Sequence, residues 1–378
     1  NEDCIDAVDV ETICILVGMM LLVAVIKNSG IFEYIAIKAA KIAKGRPWPI
    51  MVIFILITAV CSGMLDNVTT VLLVGPMTLA ITNILKVDPV PYIITQIMAS
   101  NIGGTATLIG DPPNIMIGSA AKLSFVDFIL NTGVATVFVI IVGLICMYFI
   151  YGRKLFVTDE SIAKVMQLDE NKAIKDRKLM HESVIVIILV ALCFIFHDQL
   201  GVQSCTVAIA AACIMLLIGG QEPEEIIADV EWPTILFFIG LFIVVGGMKK
   251  VGVITMLANG LISITHGNMV VTMMVILWVS AIVSSFLDNI PFVATLIPMI
   301  LTMQAEGMDV TPIWWALSLG ACLGGNGTLI GASANVVLSG ISKNNGHPIT
   351  FGQYFKIGFP MMILSIIVCS VFLLVRFA

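Results

Sequence analysis

Long apolar runs, 15 to 20 residues at a stretch and without period-two alternation, restrict this chain to one class of fold. About 20 apolar residues span a bilayer as a helix, whereas a membrane barrel needs short alternating strands. Only 12% of the 378 residues are charged, half the share of about 25% that covers an ordinary soluble surface. The 31 glycines and 14 prolines agree, because both are more frequent in membrane helices than in soluble ones. The expectation is an all-α polytopic membrane protein whose first partner is the lipid bilayer. Such a multi-pass protein would sit in the inner (plasma) membrane of a prokaryote or in an organellar membrane of a eukaryote. No basic stripe interleaved with aromatics is present, so nucleic acid is not an expected partner.

Apolar segments fall at 12–26, 49–65, 68–85, 91–121, 132–151, 183–197, 205–219, 233–248, 269–287, 290–304, 312–342 and 355–375. Between the first two, Lys38, Lys41 and Lys44 recur at helical spacing opposite Ile and Ala, which predicts an interfacial helix over 30–46. Basic residues crowd 27–48, 86–90 and 152–180, while the N-terminal stretch is acidic (Glu2, Asp3, Asp6, Asp9, Glu11). The positive-inside rule places the basic stretches in the cytoplasm. Residues 49–85 must then enter and return, either as two crossings or as a re-entrant hairpin tipped by Asp66-Asn67. Charge alone does not separate the two.

The chain repeats itself. SGMLDNVTTVLLVGPM (62–77) matches SSFLDNIPFVATLIPM (284–299) at a shift of 222 residues, and NIGGTATLIGDPPN (101–114) matches CLGGNGTLIGASAN (322–335) at 221. Glu11 pairs with Glu231, and the stretch around Lys27 with the one around Lys249. Counting crossings makes the second copy run opposite to the first. The expected domains are an inverted repeat over 1–152, a cytoplasmic linker over 153–181 and a second inverted repeat over 182–378. The second carries two additional spans, so two matching helices are expected ahead of the first. Inverted repeats with broken helices are a transporter architecture with the site near the midplane.

The breaks carry the chemistry. Asp66-Asn67 and Asp288-Asn289 put a carboxylate and an amide into apolar runs, where a charge costs roughly 2.5–3.5 kcal/mol. The bland alternative is a turn at the membrane surface, and duplication at matching positions counts against it. In the second pair of breaks, Gly103, Gly104, Gly110, Pro112 and Pro113 cannot all lie in regular helix. Loosened backbone at membrane depth is tolerated inside protein or beside water, where it becomes a ligand. Thr105, Thr107, Asn114 and their mates Asn326, Thr328 and Asn335 would supply oxygens, with Asn101, Gly327 and Thr69 beside them. The copies differ: Asp111 is matched by Ala332 and Thr69 by Pro291. Asp66 and Asp288 are the expected proton or cation carriers. Asp111 is either a further ligand or the N-cap of the half-helix through Asn114.

Other chemistry is thin. The four histidines (His181, His197, His266, His347) sit at segment ends or loops without metal spacing, and no metal site or cofactor is expected beyond bound sodium or protons. Cys61 and Cys322 lie near the breaks, but their mates are Val283 and Asn101, so packing is the better reading of both. No GK[ST] loop, catalytic triad or paired acid is present, so the chain is not expected to be an enzyme.

The motifs LDNVTTVLLVGP, SNIGGTATLIGDPPN, LDNIPFVATLIP and ACLGGNGTLIGASANVV resemble the arsenite-permease and melanosomal P-protein branch of the ion transporter superfamily. That superfamily also holds NhaD-type sodium/proton antiporters and, more distantly, dicarboxylate and citrate transporters. The resemblance implies two inverted repeats, each with a re-entrant hairpin and an unwound transmembrane helix (101–114 and 323–335), moving in elevator fashion. It implies a secondary transporter of a small inorganic ion, arsenite, antimonite or sodium, coupled to protons or sodium. The alternative is an ion channel, for example for chloride, on the same fold. A homodimer and a separate ATPase subunit are partners compatible with it.

Overall fold

The computed structural model describes residues 5–378, which contain helices and no strand. Glu2 and Asp3 of the acidic stretch, and the side chain of His197, lie outside the described residues. The first half runs α1 (Val10–Lys27), α2 (Ile31–Ile42), α3 (Pro47–Met64), α4 (Asn67–Leu85), α5 (Val90–Thr105), α6 (Pro112–Ala121) and α7, a continuous helix over Phe125–Gly152. After a linker holding α8 (Asp159–Met166) come α9 (Arg177–Leu200), α10 (Ser204–Ile218) and the short α11 (Pro223–Ala228). The second half runs α12 (Trp232–Lys250), α13 (Val253–Thr265), α14 (Met269–Phe286), α15 (Asn289–Ala305), α16 (Thr311–Gly324), α17 (Ser333–Asn344) and α18 (Phe351–Phe377). Element for element, α12–α18 repeat α1–α7. Among the described residues eight helices are long and apolar enough to cross a membrane. Their outward faces carry bare apolar side chains, such as Val137, Phe138 and Ile141 on α7, that only lipid would cover. The chain is an integral multi-pass membrane protein.

Local chemistry sets the ends of these helices. Asp9 accepts from the backbone N–H of Thr12 (3.2 Å) and from its hydroxyl (2.7 Å), capping α1. Gly30 and its mate Gly252 both adopt φ of 81°, a left-handed conformation that suits glycine and opens α2 and α13. At Gly30 a Cβ would also meet the carbonyl oxygen of Ala173 at 2.1 Å, so the linker lies directly on this turn. The amphipathic helix predicted over 30–46 is α2. Its apolar face (Ala36, Ala39, Ala40) packs on α3 and on Val165 of α8, while Lys38 points outward.

Packing resolves what charge left open. Ile50 near the start of α3, Leu85 at the end of α4, Tyr92 at the start of α5 and Val165 share one cluster. The Tyr92 hydroxyl donates to the Pro47 carbonyl at 2.9 Å. Residues 47–85 therefore enter and leave at one end of the molecule, and their Asp66-Asn67 tip lies on an interior cavity beside Asn289, its counterpart in the other half, so the segment is a re-entrant hairpin. Helix α7 relates the halves. Near its C-terminal end Tyr148 packs edge-on against Trp48 at the start of α3, and near its N-terminal end Phe128 packs edge-on against Trp315 at the start of α16. The first hairpin thus opens at one end and the second broken helix starts at the other, which is inversion.

Candidate functional site

Four helix N-termini converge where the halves meet: those of α4, α6, α15 and α17. Between them lies a cavity of about 30 Å³, enough for one or two waters or a small ion. Its lining comes in symmetry-related pairs, Asn67 with Asn289, Val68 with Ile290 and Pro112 with Ser333. Leu16 and Met20 of α1, and Glu231 with Thr234 at the start of α12, complete the lining. Asp66, Asp111 and Glu231 supply three carboxyl groups, and among the described residues no Lys or Arg lines the space. Helix N-termini present unpaired N–H groups and the positive end of the dipole, so this is a place built to hold negative charge.

The carboxyl groups are held differently. Asp66 is buried, and both its oxygens are taken up at the start of α4: Oδ1 accepts from the Thr69 N–H at 2.8 Å and Oδ2 from its hydroxyl at 2.5 Å. Thr69 serves that cap and does not line the cavity. Asp288 caps α15 through the Ile290 N–H (3.1 Å) and accepts from the Ser333 hydroxyl (2.9 Å); it is partly exposed and stands one shell behind the cavity. Asp111 occupies the N-cap position of α6, yet its side chain makes no cap bond. It turns instead to the other half, where both oxygens accept from the Asn289 amide at 3.3 Å. Asp111 is wholly buried. The acid without a counterpart in the other repeat is thus the one at the centre.

Most of the amides and hydroxyls expected as ligands are engaged in clasping the broken helices. Asn114 donates to the carbonyls of Gly104, Thr105 and Thr107 (3.3, 3.2 and 2.9 Å), and Asn335 to those of Gly325 and Thr328 (2.7 and 2.9 Å). Thr107 donates to the Gly63 carbonyl at 2.5 Å, Thr328 to that of Ser285, and Thr105 to that of Asn101 at 2.7 Å. The halves are then cross-tied. Asn101 donates to the side-chain oxygens of Asn326 and Asn335, both at 2.9 Å, and Ser318 to that of Asn114 at 2.7 Å. Asn67 reaches Asn101 at a longer 3.5 Å. These buried partners satisfy the backbone that the breaks expose, as burial requires.

The unwound stretches are shorter than expected. Helix α5 continues through Gly103 and Gly104 to Thr105, and α16 through Leu323 and Gly324; the irregular segments are 106–111 and, with a single tight turn at Gly325–Gly327, 325–332. Gly103 and Gly104 do not unwind helix here. A Cβ on Gly103 would lie 2.1 Å from the Ala59 carbonyl oxygen, and one on Gly104 2.5 Å from that of Gly110, so both permit backbone contact. Gly327 does the same against the Ser285 side chain. Glu231, Thr234 and Ser333 escaped the sequence reading; the available signal was the pairing of Glu231 with Glu11.

Residues 2–320 match the family described as citrate transporter. An uncharacterized transporter of Mycobacterium tuberculosis is 43% identical over 374 residues, covering 98% of this chain and 87% of that protein. The P protein of Homo sapiens is 32% identical over 451 aligned positions; 98% of this chain corresponds to 54% of that longer protein. The crystal structure of the Alcanivorax borkumensis YdaH transporter shares the fold, with a TM-score of 0.66 at 14% identity over 96% of this chain and 84% of that one. The P-protein resemblance drawn from the motifs reappears among these relatives, whereas the family matched is the one that reading placed further off. With a profile match across most of its length and relatives this similar end to end, the chain belongs to the citrate transporter family.

Proposed function

We propose that this chain is a secondary active transporter that binds a small anion at the four convergent helix N-termini, together with a proton or sodium ion at Asp111. The observation that carries the reading is the cavity itself: three carboxyl groups and four N-termini around one enclosed space, with no cationic side chain among the described residues. A buried carboxylate of this kind needs a compensating positive charge, and a proton or sodium ion supplies it. An anion would be held by the N–H groups once that charge is in place. The hairpins and half-helices would move as one body against α7 and α18, opening the cavity to each end in turn. Enclosure favours this over a standing pore.

The family description makes citrate-like carboxylates the first solutes to test; arsenite, antimonite, sodium and chloride belong in the same panel. Flux into proteoliposomes, with and without a pH or sodium gradient, tests the proposal. Uptake of one solute that follows an imposed gradient supports it. Rapid dissipative flux indifferent to either gradient would establish a channel instead.

A further inference from the structure

We infer that protons reach the central carboxyl groups from the basic end of the molecule, through the polar interior of the first hairpin, by way of a water held between Thr58, Thr78 and Gln96. The inference rests on the proton-coupled reading above. Along the first hairpin and α5 run buried polar residues: Thr58 and Ser62 on α3, Asn67, Thr70, Thr78 and Thr82 on α4, and Gln96 and Ser100 on α5. Short, separate links already exist along this seam, and the Thr78 hydroxyl itself donates to the Val74 carbonyl at 2.8 Å. Ser62 donates to the Ser100 carbonyl at 2.6 Å, Ser100 to the Asn67 carbonyl at 3.0 Å, and the Gln96 amide to the Thr78 hydroxyl at 2.5 Å.

Three buried atoms in the seam lack a protein partner: the hydroxyls of Thr58 and Thr70 and the side-chain oxygen of Gln96. Thr58, Thr78 and Gln96 line one cavity of about 20 Å³, which has room for a single water with two or three polar partners. That cavity shares Phe32, Ala36 and Met77 with a groove of about 400 Å³, whose mouth carries Lys27, Glu33 and Lys175. The other end of the seam is Asn67, beside Asp66 and Asp111 on the central cavity. No acidic or basic side chain lines the small cavity among the described residues, so hydroxyls turning from their backbone acceptors, together with water, would pass the proton from solution at the mouth to a carboxylate, while the Gln96 amide holds the water in place.

The internal repeat supplies the contrast. At the matching positions of the second half, Thr70, Thr78, Gln96 and Ser100 become Phe292, Ile300, Leu317 and Ala321. Only Ser280, the mate of Thr58, keeps an unpartnered hydroxyl there. The route is one-sided.

Substrate-driven proton movement should be followed with an enclosed pH dye in proteoliposomes, using the solute found by the flux panel. Gln96→Leu, which copies Leu317, should slow proton movement about tenfold, the cost of one lost buried hydrogen-bond partner, without changing KM. Gln96→Glu should retain most of the rate, and Leu317→Gln should leave it unchanged. Thr58→Val, nearly isosteric, gives the same readout if Gln96→Leu does not fold. A wild type that couples normally, with Gln96→Leu and Thr58→Val matching it, overturns the route alone. A wild type that transports without moving protons overturns the proton-coupled reading and the route with it.

Discussion

Replacing Gly103 by alanine tests whether α3 and α5 touch backbone to backbone beneath the site. The added Cβ would sit 2.1 Å from the carbonyl oxygen of Ala59 and 2.5 Å from its Cα. Relief to an ordinary contact of about 3.5 Å needs the helices to part by about 1.4 Å. That would stretch the Ser62 to Ser100 hydrogen bond from 2.6 Å to about 4 Å, breaking it. Overpacking costs about 1–3 kcal/mol and the lost bond about 1 kcal/mol more. The mate Gly324 meets the Ala281 carbonyl oxygen at 2.7 Å, so Gly324→Ala should cost less. Gly240 has no atom within 4 Å of its Cβ position, and Gly240→Ala should be neutral or stabilising by about 0.5–1 kcal/mol. Thermal melts followed by fluorescence-detected size exclusion would read the order: Gly103→Ala lowest in Tm, Gly324→Ala between, Gly240→Ala at or above wild type. A Gly103→Ala protein melting with Gly240→Ala would refute the close contact.

Asn101→Ala removes both 2.9 Å ties to Asn326 and Asn335; it should destabilise by about 2–4 kcal/mol, more than Asn345→Ala in an exposed turn, as read by denaturant titration in detergent. Asp66→Ala should cost about 1 kcal/mol as a lost cap, while Asp66→Asn keeps the cap, so any flux lost by the second variant measures charge. Lys41 hydrogen-bonds Glu170 at 2.6 Å and holds its carboxyl below the usual range. A value depressed in the folded state adds stability above the ordinary carboxylate range and loses it as pH falls through the depressed value. Protection factors over Asp169–Ile174, taken after correcting exchange for its intrinsic pH dependence, should therefore hold at neutral pH and fall below about pH 4, and Lys41→Ala should lower them at neutral pH.

The spans and the internal repeat were legible because apolar length and the recurring Asp, Asn and Gly are properties of the chain itself. The hairpin was not, since a turn inside the membrane and a double crossing carry the same charges; the interior position of the Asp66-Asn67 tip, on one cavity with Asn289 of the other half, decides it. Gly103 and Gly104 read as helix breakers by propensity, yet tertiary contact with Ala59 and Gly110 uses their missing side chains while the helix continues. The clasp was invisible for a similar reason: nothing local tells Asn101 that its partners lie 225 and 234 residues away. Asp111 read equally as a ligand or as a cap, and only its approach to Asn289 reveals that the carboxyl faces the opposite half. Glu231 was hidden because an acid at the mouth of a span normally faces water.

Gradient-driven flux by Asp111→Asn beside wild type addresses the central claim most directly. The account predicts that the variant melts near wild type while coupled uptake falls by about 100-fold, equivalent to about 2.7 kcal/mol of lost stabilisation. Uptake at the wild-type rate, with the same dependence on the imposed gradient, would contradict it.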